Sequence, residues 1–182
     1  MACLWVMALA LPGLGQESVS LYKGRVTFTP PAGLRPLSRE AIARDYQGRV
    51  PPQHVYKNAT GDVAIAFNHL PKKVSQDSLQ AFRDRLESDL KKKMEVVEWV
   101  STSFQTLHGV RWFQLQFKTV SDGFTVQNIV LGTPMDGRLL EVSFNTFADF
   151  DPMAESELVQ SRLSLKLLPA KILTPATPGS HR

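Results

Sequence analysis

Four stretches between Val96 and Phe147 alternate apolar and polar residues as consecutive β-strands do. Their sequences are VVEWV, VRWFQLQFK, FTVQNIVLG and RLLEVSFNTF. Pairs of turn-forming residues separate them, at His108-Gly109, Asp122-Gly123 and Asp136-Gly137. Short connections of this kind join antiparallel neighbours. The pattern therefore predicts an antiparallel meander over this part of the chain.

The alternation also predicts that the meander has one apolar face and one polar face. In the second strand Phe113, Leu115 and Phe117 alternate with Trp112, Gln114 and Gln116, and in the fourth strand Leu140, Val142 and Phe144 alternate with Glu141, Ser143 and Asn145. With the strands in register, one face presents uncharged hydrogen-bonding groups around an aromatic ring. The candidate binding residues on this polar face are Trp112, Gln114, Gln116, Asn128, Glu141, Ser143 and Asn145.

Such a face is suited to docking a peptide or a helix. Amide side chains both donate and accept hydrogen bonds, and a tryptophan supplies rigid apolar area. The alternative is a face that is open to water or covered by a helix, since antiparallel sheets commonly leave one face solvated.

The remaining elements flank this meander. A first strand is predicted over Val19–Thr29, and a short helix follows Ser38. The segments HVYKN and VAIAF are typical of a hairpin. Ser75 is a good N-cap for a helix with apolar residues at helical spacing from Leu79, and a second amphipathic helix begins at Pro152. The predicted fold class is α+β, an antiparallel sheet of about six strands flanked by helices.

The N-terminal apolar run LWVMALAL has the length of a signal-peptide core. We expect residues 1–15 to be an export signal, residues 16–169 to form a single domain and residues 170–182 to be a flexible tail. This organisation predicts a periplasmic or secreted protein with no stable membrane span after signal removal. The first basic residue is Lys23, which is atypical of a signal. The alternative is that the N-terminus is a buried element of a cytoplasmic protein.

Composition and charge narrow the possible partners. The chain has 182 residues, 43% of them hydrophobic and 21% charged, which is ordinary for a globular domain. The net charge of +4 is small, and the basic run Lys91–Lys93 lacks interleaved aromatic residues. No nucleic acid is therefore expected as a partner. The only cysteine is Cys3, so a disulfide framework and a thiol nucleophile are excluded once the predicted signal is removed.

No catalytic motif is found, and no enzyme activity is predicted. The sequence has no nucleophile elbow, phosphate-binding glycine loop or H-E-x-x-H motif. The four histidines are His54, His69, His108 and His181. None has a second ligand residue at i+2, i+3 or i+4, so neither a metal nor a cofactor is predicted. The acids around Asp151 are assigned to capping and the first turn of the last helix, with a calcium or catalytic role as the alternative.

Several segments resemble the DcrB-like domain family, which is related to the PsbP/Mog-type α/β/α sandwich. They are FTPPAGLRPLSREAIA, VYKNATGDVAIAF, WVSTSFQTLHGVRWFQLQF and GRLLEVSFNTF, and the resemblance spans residues 19–168. It implies an antiparallel sheet flanked by helices and non-enzymatic roles. Members of the family act as periplasmic accessory proteins, subunit-stabilising proteins or cytoplasmic chaperones that hold apolar helices of secreted effectors. The family supplies no catalytic residues.

We therefore predict an exported, non-enzymatic accessory protein that binds another protein or an envelope component through its sheet face. A carrier of a small apolar ligand is one alternative. A cytoplasmic chaperone of secreted effectors is another, if the N-terminus is not cleaved.

Overall fold

The computed structural model describes residues 17–47, 50–121, 123–147 and 152–170, with side chains described from Glu155 onwards in the last of these segments. The predicted export signal lies outside the described residues, as does the predicted tail from residue 171. Asp151, the expected cap of the last helix, also lies outside them. Within the described residues, no helix is long and apolar enough to cross a membrane.

Ten strands and three helices occur in the described part of the chain. The strands are β1 (Val19–Leu21), β2 (Val26–Phe28), β3 (Arg35–Pro36), β4 (His54–Lys57), β5 (Val63–Lys73), β6 (Val96–Leu107), β7 (Val110–Ser121), β8 (Phe124–Met135), β9 (Arg138–Phe147) and β10 (Lys166–Leu167). The helices are α1 (Arg39–Asp45), α2 (Leu79–Lys93) and α3 (Pro152–Leu163).

The strands form two antiparallel sheets. The main sheet has seven strands in the order β3-β4-β5-β9-β8-β7-β6, and the small sheet has the order β1-β2-β10. The α+β class and the meander from β6 to β9 are confirmed. The main sheet is larger than the predicted six strands because β9 pairs with β5, which joins the meander to the earlier strands.

Strand β6 is longer than the predicted VVEWV segment and forms one edge of the main sheet. Its polar continuation, STSFQTL, also pairs with β7, and the pairing shifts register between Val96 and Glu98 and again between Trp99 and Ser101. The two residues at these shifts, Val97 and Val100, are 54% and 43% exposed. The edge strand therefore keeps apolar side chains in water at both irregular positions.

The predicted first strand, Val19–Thr29, is wrong in one respect: it is a hairpin of β1 and β2. The chain reverses at Tyr22, Lys23 and Gly24, which have φ values of 51°, 56° and 86°. Three consecutive positive φ values are incompatible with an extended strand. Apolar residues alternate on each side of the turn, at Val19 and Leu21 and again at Val26 and Phe28, and the phase of the alternation shifts by one residue across it.

The predicted start of α2 is also wrong. Ser78, not Ser75, occupies the N-cap position, and Ser75 begins a turn that precedes the helix. The Oγ atom of Ser75 accepts a hydrogen bond from the backbone nitrogen of Ser78 at 3.3 Å, so it organises the entry to the helix one turn earlier. The prediction for α1 is confirmed, since the Ser38 side chain accepts from the nitrogen of Ala41 at 3.2 Å.

Both faces of the main sheet are buried, each against a different layer. Phe113, Leu115 and Leu139 belong to a core cluster that packs against α2. We call the face on which they lie the helix face. On the opposite face, which we call the small-sheet face, Leu131 and Val142 share a core cluster with residues of β2 and α3.

The prediction of a meander with a single apolar face is therefore wrong. The register shows that the alternating apolar residues of β7 (Phe113, Leu115 and Phe117) and of β9 (Leu140, Val142 and Phe144) point in opposite directions. Leu115 pairs with Val130, which pairs with Ser143 rather than with Val142. Because paired residues share a face, the apolar side chains of the two strands serve different core clusters. Helix α1 covers a third patch, on the helix face, where Ile42 packs with Val55 and Ala66.

Gly132, in the middle of β8, determines how closely the aromatic layer packs on the helix face. It pairs with Phe113, and a Cβ atom placed on Gly132 would overlap the Phe113 ring. The ring itself stacks on Phe82 of α2, with centroids 6.3 Å apart. The absence of a side chain at Gly132 therefore allows α2 to be seated on the sheet.

We predict that Gly132→Ala destabilises the fold by about 1–3 kcal/mol, because the added methyl group displaces the Phe113 ring in a close-packed core. Urea unfolding of the purified protein measures the loss. The double variant Gly132→Ala, Phe113→Leu provides the control, since a smaller partner relieves the overlap and makes the two effects non-additive. Additive losses in this cycle would contradict the assigned packing.

Candidate functional site

The structure separates the seven predicted binding residues into two groups. Trp112, Gln114 and Gln116 lie on the small-sheet face, whereas the other four lie on the helix face: Asn128, Glu141, Ser143 and Asn145. Phe117 pairs with Asn128, which places Asn128 beside the apolar residues of β7. Asn128 in turn pairs with Asn145, so the polar residues of β9 lie on that same face. The prediction of one shared polar face is wrong, and the binding role of each residue stays a prediction.

Trp112 is part of the core rather than a surface anchor. Its exposed fraction is 0%, and it belongs to the same buried cluster as Val26 and Leu165. Its Nε1 atom has no hydrogen-bond partner among the described residues. The expectation of an aromatic ring at the centre of an open surface is therefore wrong, since the small-sheet layer covers the face on which Trp112 lies.

The four residues of the helix face lie along β8 and β9, the strands between those that α1 and α2 cover. Asn128 and Asn145 pair with each other and line a cavity of about 490 Å³. We call this cavity the amide groove. Its floor is formed by β5, β7, β8 and β9, and its remaining floor residues include Ala64, Thr119 and Val126.

Two helices supply the sides of the amide groove. The segment at the end of α1 contributes Asp45 and Tyr46, and the segment at the end of α2 contributes Lys93 and Met94. Helix α1 packs on β4 and β5, whereas α2 packs on β7. The central strands are left between the two helices, and the groove follows that gap.

Hydrogen bonds fix the orientation of the two amides on the groove floor. Asn145 donates through Nδ2 to Oδ1 of Asn128 at 2.7 Å, and Asn128 donates through Nδ2 to Oγ1 of Thr119 at 3.0 Å and to the carbonyl oxygen of Val126 at 3.0 Å. Asn128 is only 7% exposed, and its amide is fully engaged. No described residue donates a hydrogen bond to Oδ1 of Asn145. The chain of donors thus leaves one oriented acceptor at the groove floor.

The rim of the amide groove is apolar and exposed. Met94 and Val120 line it and are 39% and 40% exposed. Phe124, which pairs with Ser121 at the same end of the sheet, is 59% exposed. Lys57 and Asp45 also line the groove and form an ion pair at 3.5 Å. An exposed apolar patch beside a polar floor is suited to an amphipathic segment of a partner.

Glu141 and Ser143 share the helix face but do not line the amide groove. Ser143 is half-buried between its pairing partners Ala66 and Val130. Glu141 pairs with Asn68 and Gly132. Burial raises the pKa of the Glu141 carboxyl, and the Lys72 ammonium offsets part of that increase.

The structure brings together a group that the sequence pattern does not reveal. The Tyr22 ring contacts the rings of His54 and His69 edge-on, with centroids 5.0 Å and 6.0 Å away. Burial lowers the pKa of His54, and the nearby Arg39 adds to the effect. The group depends on the β1–β2 turn folding over β4 and β5, and residue spacing carries no signal for that contact. In the described part of the chain, no group of three or more His, Cys, Asp or Glu residues is placed to bind a metal ion.

Comparison with known proteins shows the fold but no family. No family model matches the sequence, and no curated protein matches it. Among solved structures, cyanobacterial PsbP from Synechocystis sp. PCC 6803 is similar with a TM-score of 0.55 at 16% identity, covering 87% of this chain and 98% of that one. The Ran-binding protein Mog1p of Saccharomyces cerevisiae is similar with a TM-score of 0.52 at 16% identity, covering 83% and 94%.

A third similar structure is LpqN of Mycobacterium tuberculosis, described as involved in cell envelope biogenesis. Its TM-score is 0.50 at 17% identity, covering 84% of this chain and 90% of LpqN. The chain has the PsbP/Mog-type fold. At these identities the likeness extends to the fold alone, and membership of the DcrB-like family stays a prediction.

We predict that Glu141→Gln stabilises the protein at neutral pH. The native state raises the pKa of this carboxyl, so between its unfolded and folded pKa values the native state binds more protons and the free energy of unfolding falls as pH rises. A glutamine lacks this dependence. Denaturation midpoints from pH 3 to pH 8 should coincide for the two proteins at low pH and separate as the carboxyl ionises.

Glu40→Gln is the matched control of opposite sign. Hydrogen bonds to its own backbone and to the Ser38 side chain lower the pKa of Glu40. Its contribution to stability is therefore present above the unfolded pKa and lost as pH falls. This variant should be less stable than the parent at neutral pH and equal to it in acid. A stability difference for Glu141→Gln that is constant with pH would contradict the buried-carboxyl assignment.

Proposed function

We propose that this protein is a non-enzymatic accessory protein of the cell envelope or the extracellular space, and that it binds a segment of another protein in the amide groove. The observation that carries the proposal is the uncovered centre of the helix face. There the oriented Asn145 acceptor lies beneath an exposed apolar rim. The partner segment is expected to be amphipathic, with a hydrogen-bond donor for the floor and apolar side chains for the rim.

Exposed apolar side chains around a concave polar floor support a binding role. Met94, Val120 and Phe124 are all exposed. The first two line the groove and the third lies at the same end of the sheet, and grouped exposed apolar residues mark interaction sites more often than isolated ones do. The cavity of about 490 Å³ lies in the range of pockets that receive a ligand or an anchoring side chain.

The comparisons are compatible with this proposal. The similar structures include a protein described as Ran-binding and one described as involved in cell envelope biogenesis. The signal-like N-terminal sequence favours the periplasm or the extracellular space over the cytoplasm. The resemblance to the DcrB-like family implies an accessory role of the same kind.

We predict that a photo-crosslinking amino acid at position 94 captures a specific partner in the native host. Met94 is 39% exposed on the groove rim, and Leu168 is 40% exposed after β10. Leu168 is therefore a control position of equal exposure in the opposite layer. Mass spectrometry of the adducts identifies the partner and its cell compartment. Equal capture of the same protein from both positions, or capture from position 168 alone, would contradict the site.

Affinity measurements with the identified partner then test the rim directly. We expect Met94→Glu to weaken binding by about tenfold or more, because it places a charge against an apolar surface, whereas Leu168→Glu leaves the affinity unchanged. Both substitutions lie on exposed positions, so thermal unfolding should confirm that both variants retain the fold. Unchanged affinity of the Met94→Glu variant for the partner would contradict the assignment of the rim as the binding surface.

A further inference from the structure

A second cavity, which we call the α3 cavity, lies on the opposite side of the main sheet, between the small-sheet face and α3. Its volume is about 130 Å³. The sheet contributes polar side chains from Gln116, Gln127 and Thr146, together with the apolar side chains of Ile129 and Phe144. Helix α3 closes the other side. The cavity is thus apolar along one part of its wall and carries hydrogen-bonding groups along another.

Arg162 of α3 brings a positive charge to this cavity. Its Nη1 atom donates to Oε1 of Gln114 at 3.1 Å, and the same oxygen accepts from Nε2 of Gln105 at 3.2 Å. The Nε atom of Arg162 is buried and has no hydrogen-bond partner among the described residues. Burial lowers the pKa of the guanidinium. One donor of this partly buried cation therefore has no partner among the described residues.

No carboxylate of the described residues forms an ion pair with Arg162. Glu155 lies about two turns earlier on α3 and also lines the cavity, but it is exposed and forms no salt bridge with the guanidinium. A carboxylate is the partner whose geometry matches a guanidinium. Arg162 therefore has no direct ionic partner among the described residues, and the carboxylate of a ligand would supply one.

The amides of Gln116 and Gln127 are also available to a ligand. Both side chains line the cavity, and neither makes a side-chain hydrogen bond within the described part of the chain. The nitrogen of each amide can donate a hydrogen bond to a carboxylate. A bound carboxylate would therefore find neutral donors beside the charged guanidinium. The apolar residues Ile129, Phe144 and Leu158 face the remainder of the space.

We propose that this cavity binds a short-chain aliphatic monocarboxylate, with the carboxylate at Arg162 and the alkyl chain against Phe144 and Leu158. An apolar cavity of about 150 Å³ accommodates benzene, so a cavity of about 130 Å³ accommodates roughly six non-hydrogen atoms. Butyrate has this size. An inorganic anion such as sulfate lacks the apolar part, and the alkyl chain of a long-chain fatty acid exceeds the volume.

The proposal is tested by titrating the full-length protein with sodium butyrate while recording proton–nitrogen correlation spectra. The Nε–H resonance of Arg162 should shift in a saturable manner, because the unused donor gains an acceptor. Butyramide, a neutral molecule of the same shape, should bind at least about tenfold more weakly. Its amide oxygen is a neutral acceptor for the guanidinium, whereas the oxygen of butyrate is a charged one. Equal affinity for butyramide would overturn the proposed carboxylate recognition.

Two variants and one control test whether the response comes from this cavity. Arg162→Gln should abolish butyrate binding. Arg83→Gln is the control and should leave binding unchanged, because the Arg83 side chain is only 15% exposed but lies on another helix. Val159→Phe fills the cavity without altering charge and should abolish binding as well. It serves as the deciding variant where Arg162→Gln fails to fold. Butyrate binding that survives Val159→Phe, or an unresponsive Arg162 resonance in the parent protein, would overturn the proposal.

Discussion

Coverage of both faces of one antiparallel sheet is the constraint on which the rest of this structure depends. Helix α2 packs on Phe113 and Leu115, while the small sheet packs on the side that carries Leu131 and Val142. Neither layer spans all seven strands. Each face of the sheet is therefore closed in one region and less completely closed in another, and both cavities lie where a covering layer ends.

The two cavities differ because their surroundings have different polarity. In the amide groove, Asn128 and Asn145 replace the apolar residues found beneath the helices, and their mutual hydrogen bond reduces the cost of burying amides. In the α3 cavity, Arg162 is held by one glutamine and is not neutralised by a described residue. The first site thus presents an uncharged acceptor, and the second presents a guanidinium without a direct ionic partner among the described residues.

Local pattern predicts the elements of this fold well but not the direction in which they face. Alternation identifies β7 and β9 correctly, yet it contains no information on their relative phase, which is decided by the pairing of Phe117 with Asn128 and of Asn128 with Asn145. Those two pairings place four of the seven candidate residues on the other side of the sheet. Trp112 is buried for the same kind of reason, because its cover comes from a hairpin that the pattern shows as one strand.

The α3 cavity is beyond prediction from sequence for a further reason. Arg162 has the spacing of an exposed helical residue, and its burial follows from where α3 lies on the sheet. Gln114 shows the converse: it was predicted as a polar surface group, but it holds the guanidinium of a helix 48 residues away in sequence. Long-range contacts of this kind arise only when separate elements meet.

Strand β6 has a consequence for the behaviour of the protein in concentrated solution. A regular edge of twelve residues offers a row of backbone donors and acceptors on which a second copy can extend the sheet, the first step of aggregation. The register shifts beside Val97 and Val100 interrupt that row at two points within the first six residues. The same irregularities that expose two valines thus hinder edge-to-edge association along the first half of this strand.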